Sequence, residues 1–451
     1  MAAAAPLVRT LATAAARLRS CAAASSSGRA PAAAWRTLEP CGPCLRPQRG
    51  VAAAAAGTEA AAAQEQPPRT VPTRRLTSQE AVEALYGSQH EAQRSTFAAF
   101  YSSELGGIVT DPALMVVQID DHMLHRGHGV FDTAILTEGH LYQLDQHLQR
   151  FLTNAARANI PLPPGISAEQ MRRTILETAA ASCKLNGFVR YWLSAGRGGF
   201  GLSGNECLGS AFYCIVYTHE TPDDKIDEYL RGWRVKTSPV PIKAPFFSLI
   251  KSNNYLPNAL NLMDAQAEQY DQVGREGRLS SGVGWRGVGE ELGSLLEDAQ
   301  AEQYDQAEQY DQGIFVDTDG NVSEGPNMNV ACLLEDGTLV VPPFESALNG
   351  ITVQRMMELL PGAIAAGMEG VRRVEQRHIS VAEAKASKEV FLVGSSLPIM
   401  PVVQWDISAI GDGSVGIVAL QIRSMMRDDM KPREGSNQHL EVPYGYLTGM
   451  M

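Results

Sequence analysis

The nine residues Asp264–Gln272, reading Asp-Ala-Gln-Ala-Glu-Gln-Tyr-Asp-Gln, recur word for word at Asp298–Gln306, and Ala307–Gln312 repeats the last six. Between the copies, Val273–Glu297 is rich in glycine and has no apolar period, so it gives a core nothing to bury. Two full copies are fewer than the three or so that a stacked repeat fold needs. The stretch therefore reads as a local duplication or gene-model error, or as a surface loop, with an interaction loop as the alternative. Whichever holds, a fold must be built around an insertion at about 273–312. The unit from 264 to 298 is 34 residues long, and the partial copy adds six.

The start of the chain is excluded from a core for a different reason. No acidic residue occurs from Met1 to Leu38, while Arg9, Arg17, Arg19, Arg29 and Arg36 are scattered among alanines and serines. That is the composition of an organelle transit peptide. Alanine runs at 52–56 and 60–63 prolong the low complexity toward Pro67 and Pro68. Residues 1–75 are read as leader, and folded protein is expected from near Leu76. The alanine and serine content favours the chloroplast stroma, with the mitochondrion as alternative.

What remains is long enough for two ordinary domains. We expect a small N-terminal α/β domain over 76–217, a connector at 218–224 around Thr221-Pro222-Asp223-Asp224, and a larger domain over 225–451. A formal net charge of −12 and the lack of a basic, aromatic-interleaved patch argue against a nucleic-acid partner. No apolar run approaches the roughly 18 residues of a membrane helix. Cys41 and Cys44 have redox spacing but lie in the leader without a partner pair, and Cys183, Cys207, Cys214 and Cys332 are isolated. His122, His125 and His128 sit on a strand–turn pattern without carboxylate companions, so no metal site is expected.

Apolar runs at Leu114–Ile119 and Val130–Leu136 predict strands. Asp145 is placed to cap a helix whose stripe is Leu148, Phe151, Leu152 and Ala155, and a second helix spans about Ser167–Lys184. Phe188–Ser194 and Ala211–Tyr217 read as strands flanking the glycine-rich turn Gly196–Gly204. Further strands are expected at Trp233–Thr237, Ser248–Lys251, Ile314–Val316, Asn329–Leu334, Val390–Val393 and Ile399–Val403. A helix carries Leu256, Leu260 and Met263 on one face with Pro257 in its first turn. Another opens at Gly350-Ile351-Thr352, carries Val353, Met356 and Leu360, and is expected to stop at Pro361-Gly362.

Within this order Lys251 and Glu324 carry the chemistry. A lysine ending an apolar strand can lie in a desolvated pocket, where its amine is pushed toward the neutral nucleophile that condenses with an aldehyde. A carboxylate from a second strand can then stabilise a protonated pyridine ring. Pyridoxal phosphate chemistry needs that pair, because the ring withdraws electrons only while its nitrogen keeps the proton. Glu324 lies 73 residues after Lys251, and 33 remain once the repeat unit and the partial copy are set aside.

The ordered motifs Arg126-Gly-His-Gly-Val-Phe-Asp132, His147-Leu-Gln-Arg150, Ile250-Lys251, Ser323-Glu-Gly-Pro-Asn327, Asn349-Gly-Ile-Thr352 and Gly394-Ser-Ser396 resemble those of the class IV (fold-type IV) aminotransferases. The likeness runs from about Phe97 to about Asp406 and is nearest to plant plastid members of the D-amino-acid transaminase and aminodeoxychorismate lyase type. It implies an α+β, two-domain, D-amino-acid aminotransferase-like architecture, with a small α/β domain followed by a larger pseudobarrel domain. It also implies a pyridoxal 5'-phosphate cofactor and a homodimer. Carried over residue by residue, Lys251 would hold the cofactor covalently and shuttle the proton, and Glu324 would pair with the ring nitrogen. Arg150 would clamp the phosphate, assisted by the helix start at Ile351 and Thr352 and by Ser395 and Ser396. Tyr255 would meet the phenolic oxygen, and Phe131 and Thr133 would face the substrate. The spacing of 33 is close to the family's.

One departure bears on substrate. Bacterial D-amino-acid transaminases hold the substrate carboxylate with an Arg-x-His pair after a Thr-Arg-Gly turn. Here the turn is Gly196-Arg197-Gly198, and Leu202-Ser-Gly204 supplies neither charge, which leaves Arg197 as the nearest donor. The resemblance implies transfer of the amino group of a D-amino acid to a 2-oxo acid. Cleavage of aminodeoxychorismate to 4-aminobenzoate and pyruvate is the alternative, and branched-chain L-amino-acid transamination comes third. The reading outside catalysis is an inactive cofactor-binding protein whose insertion blocks the pocket.

Overall fold

The computed structural model describes residues 73–218, 226–277, 310–345 and 347–445. From Arg74 onward the described residues cluster as one compact unit. Residues 1–72 of the leader and the connector residues Thr221–Asp224 lie outside the described residues. Among those described, no helix is long and apolar enough to cross a membrane.

Two sheets organise the chain in a mixed α+β fold. The first is built from β1 (Phe97–Ser102), β2 (Gly107–Val109), β3 (Gly129–Thr137), β4 (His140–Tyr142), β5 (Gly187–Ser194), β6 (Ala211–Tyr217) and β15 (His439–Glu441), in the order β15-β4-β3-β5-β6-β1-β2. All its pairings are antiparallel. Because β15 pairs with β4, the end of the chain returns to the N-terminal sheet rather than staying with the second. The second sheet runs β11 (Arg373–Gln376), β10 (Thr338–Val341), β9 (Asn329–Leu333), β12 (Glu389–Val393), β13 (Met400–Trp405), β7 (Trp233–Thr237), β8 (Gln312–Ile314), with β14 (Ser408–Ala409) beside β13.

Side-chain period explains how β3 serves two faces. Val130, Asp132, Ala134 and Leu136 are all buried, while the alternating Phe131 and Thr133 are only half-buried and look the other way. The buried face packs on α1 (Leu144–Arg157) and α2 (Ala168–Ala181) through Leu148, Phe151, Ala155, Met171, Ile175 and Ala179. Phe151 is fully buried and edge-on to Tyr191 at 4.9 Å. Its removal to alanine would cost about 3–5 kcal/mol. In the second sheet β9 and β12 are buried along their whole length, because one face meets the Trp233–Trp405 core. The other face meets α4 (Ile351–Ala365) and α5 (Ile417–Met430).

Several local expectations are corrected. Leu114–Ile119 is no strand: Asp111 accepts from Ala113 N and Pro112 starts a 3-10 turn that ends at Leu114, leaving Ile119 72% exposed. His122–Arg126 is a short helix capped by Asp121 and closed by Gly127 in the left-handed region, rather than strand and turn. Asp145 lies inside the first turn of α1; Gln143, at φ +52°, is its cap residue. Ser248–Lys251 is not a strand either, since Pro245–Ser248 forms a helical turn and Lys251 follows in irregular backbone. Finally, α4 passes through Pro361 to Ala365. The cost of an interior proline is offset there by the burial of Val353, Met356 and Leu360 against the sheet.

Candidate active site

A cavity of about 510 Å³ opens between the first sheet, the segment around Lys251, the start of α4 and the turn at Gly394–Leu397. Its size is within the roughly 300–1,000 Å³ usual for small-molecule and cofactor sites. Phe131, Thr133, Arg150, Lys251, Tyr255, Ile351, Thr352, Ser395 and Ser396 all line it. Glu324 lies in a small adjoining cavity of about 20 Å³, whose wall it shares with Lys251 and Tyr255.

Lys251 is held by backbone pairing and not by a strand of its own. Phe131 N donates to Lys251 O at 2.9 Å and Asn253 N donates to Gly129 O at 3.0 Å, so the segment is stitched to the end of β3. The helix that follows, α3 (Leu256–Gly277), begins five residues on. Lys251 Nζ donates to Tyr255 Oη at 3.2 Å and stands 4.8 Å from the centre of the Phe131 ring. Tyr255 in turn packs edge-on to Phe131 at 5.1 Å.

Glu324 is 7% exposed and accepts from Leu348 N at 2.9 Å. Burial pushes its carboxyl up to about 7, against the opposing pull of the Leu348 N–H and then of Lys243 and Lys251. A cation brought to it would be strongly favoured, because ionising it alone is costly.

The end of the cavity that offers donors to an anion is built from a charge pair and a helix start. Asp132 is fully buried and accepts from Arg150 Nε and Nη2 at 2.9 and 2.8 Å, and it pairs with His147 Nδ1 at 2.9 Å. Burial alone would raise Asp132, but Arg150 and His147 outweigh it and hold the carboxyl well below the usual range. The fork of Arg150 is therefore spent on Asp132, and Nη1 donates to Asn349 O at 2.9 Å. A phosphate would meet the remaining edge of a guanidinium already locked in place, rather than the fork itself. α4 starts at Gly350 with no side-chain cap, so its first amides are free for an anion. A Cβ on Gly350 would lie 2.0 Å from Asn329 Oδ1, so only glycine lets the helix start come this close to the cavity wall. Thr352 Oγ1 and Ser395 Oγ are hydrogen-bonded at 3.1 Å across the same end.

The set of donors fits pyridoxal phosphate: an amine, a buried carboxylate and a cradle of hydroxyls, amides and guanidinium around one space. Arg197 is the expected residue that the cavity does not include. It donates to Asp120 at 2.9 and 3.1 Å and faces Glu104 at 3.7 Å, which fixes it elsewhere. In its place the wall presents Arg190, whose Nε donates to Thr133 Oγ1 at 3.0 Å and whose guanidinium lies 5.5 and 5.6 Å from the Phe131 and Tyr217 ring centres.

Sequence reasoning missed Arg190, Asp132 and Lys243. The signal for Arg190 was cross-strand, since Thr133 and Arg190 are partners in the β3–β5 ladder. Asp132 ended a quoted motif, and the i, i+3 spacing of His147 and Arg150 puts both on one helix face toward it. Among the described residues no cluster of histidine, cysteine or carboxylate side chains has metal-holding geometry, although His122 Nδ1 and His128 Nδ1 are 3.2 Å apart.

Comparison with known proteins bears on this geometry. The chain matches the amino-transferase class IV family over residues 129–274 and 289–405. It is 39% identical over 349 residues to the D-amino-acid transaminase, chloroplastic, of Arabidopsis thaliana, covering 77% of this chain and 80% of that one. It is 24% identical over 325 residues to a putative branched-chain-amino-acid aminotransferase of Methanocaldococcus jannaschii, covering 72% and 94%. Among solved structures, the Escherichia coli branched-chain amino acid aminotransferase superposes with a TM-score of 0.59 at 20% identity, covering 77% of this chain and 99% of that one. The branched-chain amino acid aminotransferase of Thermobaculum terrenum, in its PLP form, gives 0.55 at 16%, covering 74% and 94%. These likenesses speak for the fold alone. Family match and identity over this length make the chain a class IV aminotransferase, an enzyme that uses pyridoxal 5'-phosphate to move an amino group between an amino acid and a 2-oxo acid.

Proposed function

We propose that the amino donor is a D-amino acid and that the enzyme works as a homodimer in the plastid. The observation that carries this reading is the 39% identity, over most of both chains, to a relative whose name specifies that activity and compartment. The acid-free, arginine-bearing stretch Met1–Leu38 supports the compartment. Leu202, Leu208, Phe246 and Phe247 are 84, 91, 62 and 55% exposed on the single chain, which supports a covering partner.

Bound pyridoxal phosphate supplies an electron sink for the substrate α-carbon. The chain does the rest. Lys251 Nζ would hold the cofactor and carry the α-proton, with Tyr255 Oη 3.2 Å away to receive its hydrogen bond. Glu324 holds the proton on the ring nitrogen, and the cost of its burial makes that pairing favourable. Arg150, the α4 amides, Thr352, Ser395 and Ser396 hold the phosphate. Arg190, backed by Phe131 and Tyr217, takes the substrate carboxylate in the role first given to Arg197, with Thr133 fixing its orientation.

The test is a single-turnover spectrum of the purified protein with D-alanine, L-leucine and aminodeoxychorismate in separate cuvettes. Conversion of the pyridoxal to the pyridoxamine form with D-alanine but not L-leucine is the expected result. Conversion with L-leucine alone would overturn the D-specific reading. Release of 4-aminobenzoate and pyruvate, with the pyridoxal form returning unaided, would make the enzyme a lyase. Sedimentation of the same sample reads the dimer, and sequencing the mature N-terminus from isolated plastids reads the leader.

A further inference from the structure

Lys243 is a cation at this site with no part in the chemistry above. It lies in the segment after β7, eight residues before Lys251, and its Nζ stands 4.9 Å from the centre of the Tyr255 ring. It also lines the small cavity that holds Glu324. The Glu324 carboxylate has a backbone amide, Leu348 N, as its hydrogen-bond donor. One such donor does not offset the loss of water around an ionised carboxylate. The remaining compensation comes from positive charge. The titratable groups on the cavity wall are Lys243 from one segment and Lys251 and Tyr255 from another, and the rest of the wall is Ser248, Ile250, Pro326–Asn329 and Leu348.

The two lysines differ in what the chemistry does to them. Lys251 would be committed to holding the cofactor and to carrying the travelling proton, so its charge would change through the reaction. Lys243 has no such duty. We propose that Lys243 is a positioning residue of the cofactor site, a standing charge that keeps Glu324 ionised and ready for the ring nitrogen while Lys251 is engaged. The proposal rests on the assignment of Glu324 to that nitrogen.

The experiment titrates cofactor-free protein with pyridoxal 5'-phosphate between pH 6 and 9, following quenching of tryptophan fluorescence. Wild type, Lys243→Met, Lys243→Arg and Glu324→Gln are compared, so the ligand's own titrations are common to all four. Wild-type affinity should weaken as pH falls through about 7, where Glu324 takes up a proton. In Lys243→Met the break should move up by about one pH unit, weakening affinity at pH 7 by about fivefold. Lys243→Arg should restore the wild-type profile, which a purely steric role would not do. Glu324→Gln should lack the break near pH 7 and show only the ligand's own titrations. An unmoved break in Lys243→Met overturns the proposal. A break that persists in Glu324→Gln overturns the Glu324 assignment instead. If Lys243→Met does not fold, Lys243→Gln takes its place with the same expectations.

Discussion

Lys251 and Glu324 show how differently one pocket treats two ionisable groups. In the proposed mechanism the amine is wanted as a nucleophile and the carboxylate as an anion. Lys251→Ala is expected to abolish the absorbance of covalently held cofactor and lower turnover by several orders of magnitude, read by spectrum and steady-state rate; normal turnover would sink the mechanism. Glu324 also sets a stability prediction. Its folded-state value of about 7 lies above the ordinary 4.5, so between those values the native state keeps a proton that the unfolded chain has released. Stability of the cofactor-free protein therefore falls as pH rises from about 4.5 to 7, by roughly 3 kcal/mol from this group. Glu324→Gln removes the slope. The variant should gain melting temperature relative to wild type at pH 8 and lose that advantage at pH 4.5. An equal difference at both pH values would mean the carboxyl is better solvated than its 7% exposure indicates. Both residues were legible in the sequence because each sits in a distinctive local phrase. Arg190 was not, because its meaning comes from Thr133 on the neighbouring strand.

At the scale of elements, the phosphate end depends on how closely α4 approaches the wall. Gly350→Ala puts a methyl 2.0 Å from Asn329 Oδ1, and Asn329 is tied by its Nδ2 to Leu348 O at 2.9 Å. Either the asparagine or the helix start must shift. Cofactor affinity should fall at least tenfold with little change in melting temperature of the cofactor-free protein, measured by dialysis and by calorimetry. Unchanged affinity would place the anion elsewhere. The helix start itself was readable from Gly350-Ile351-Thr352. Its end was not, since proline's local veto at 361 was overridden by burial on the sheet. The same competition decided Leu256, Leu260 and Met263, an apolar stripe that α3 leaves 69, 43 and 63% exposed on the single chain. Its buried positions include the polar Asn258 and Asn261.

At the scale of the whole molecule, the repeat becomes testable. Tyr310 and Asp311, near the end of the last copy, lead into β8, whose first residue is Gln312. Lys236 stands 5.8 Å from the Tyr310 ring centre, Asp311 accepts from Arg231 and from Arg234 N at 2.6 and 2.8 Å, and Gln312 donates to Asn327 at 3.0 Å. Lys236 also pairs with Asp264 at 3.2 Å. Deleting residues 273–312 would bring Tyr270, Asp271 and Gln272 directly before Gly313, six residues or more past Asp264, with the same three side chains for the same seats. The shortened chain should bind cofactor normally and differ in stability by only about 1–2 kcal/mol, because loop-closure entropy grows slowly with length. Unfolding of that variant would show that the insertion is part of the structure.

The sequence by itself determined the family to which the chain belongs and picked out many of the residues that line the cavity. Reactive groups need particular residue types in particular local phrases, and those phrases survive being read one stretch at a time. Tertiary structure alone decided three things: that Arg197 is tied to Asp120, that Arg190 faces the cavity, and that Arg150 spends its fork on Asp132. Each of these is a choice between partners distant in sequence, settled by which strand lies beside which and by the cost of leaving a buried charge unpaired.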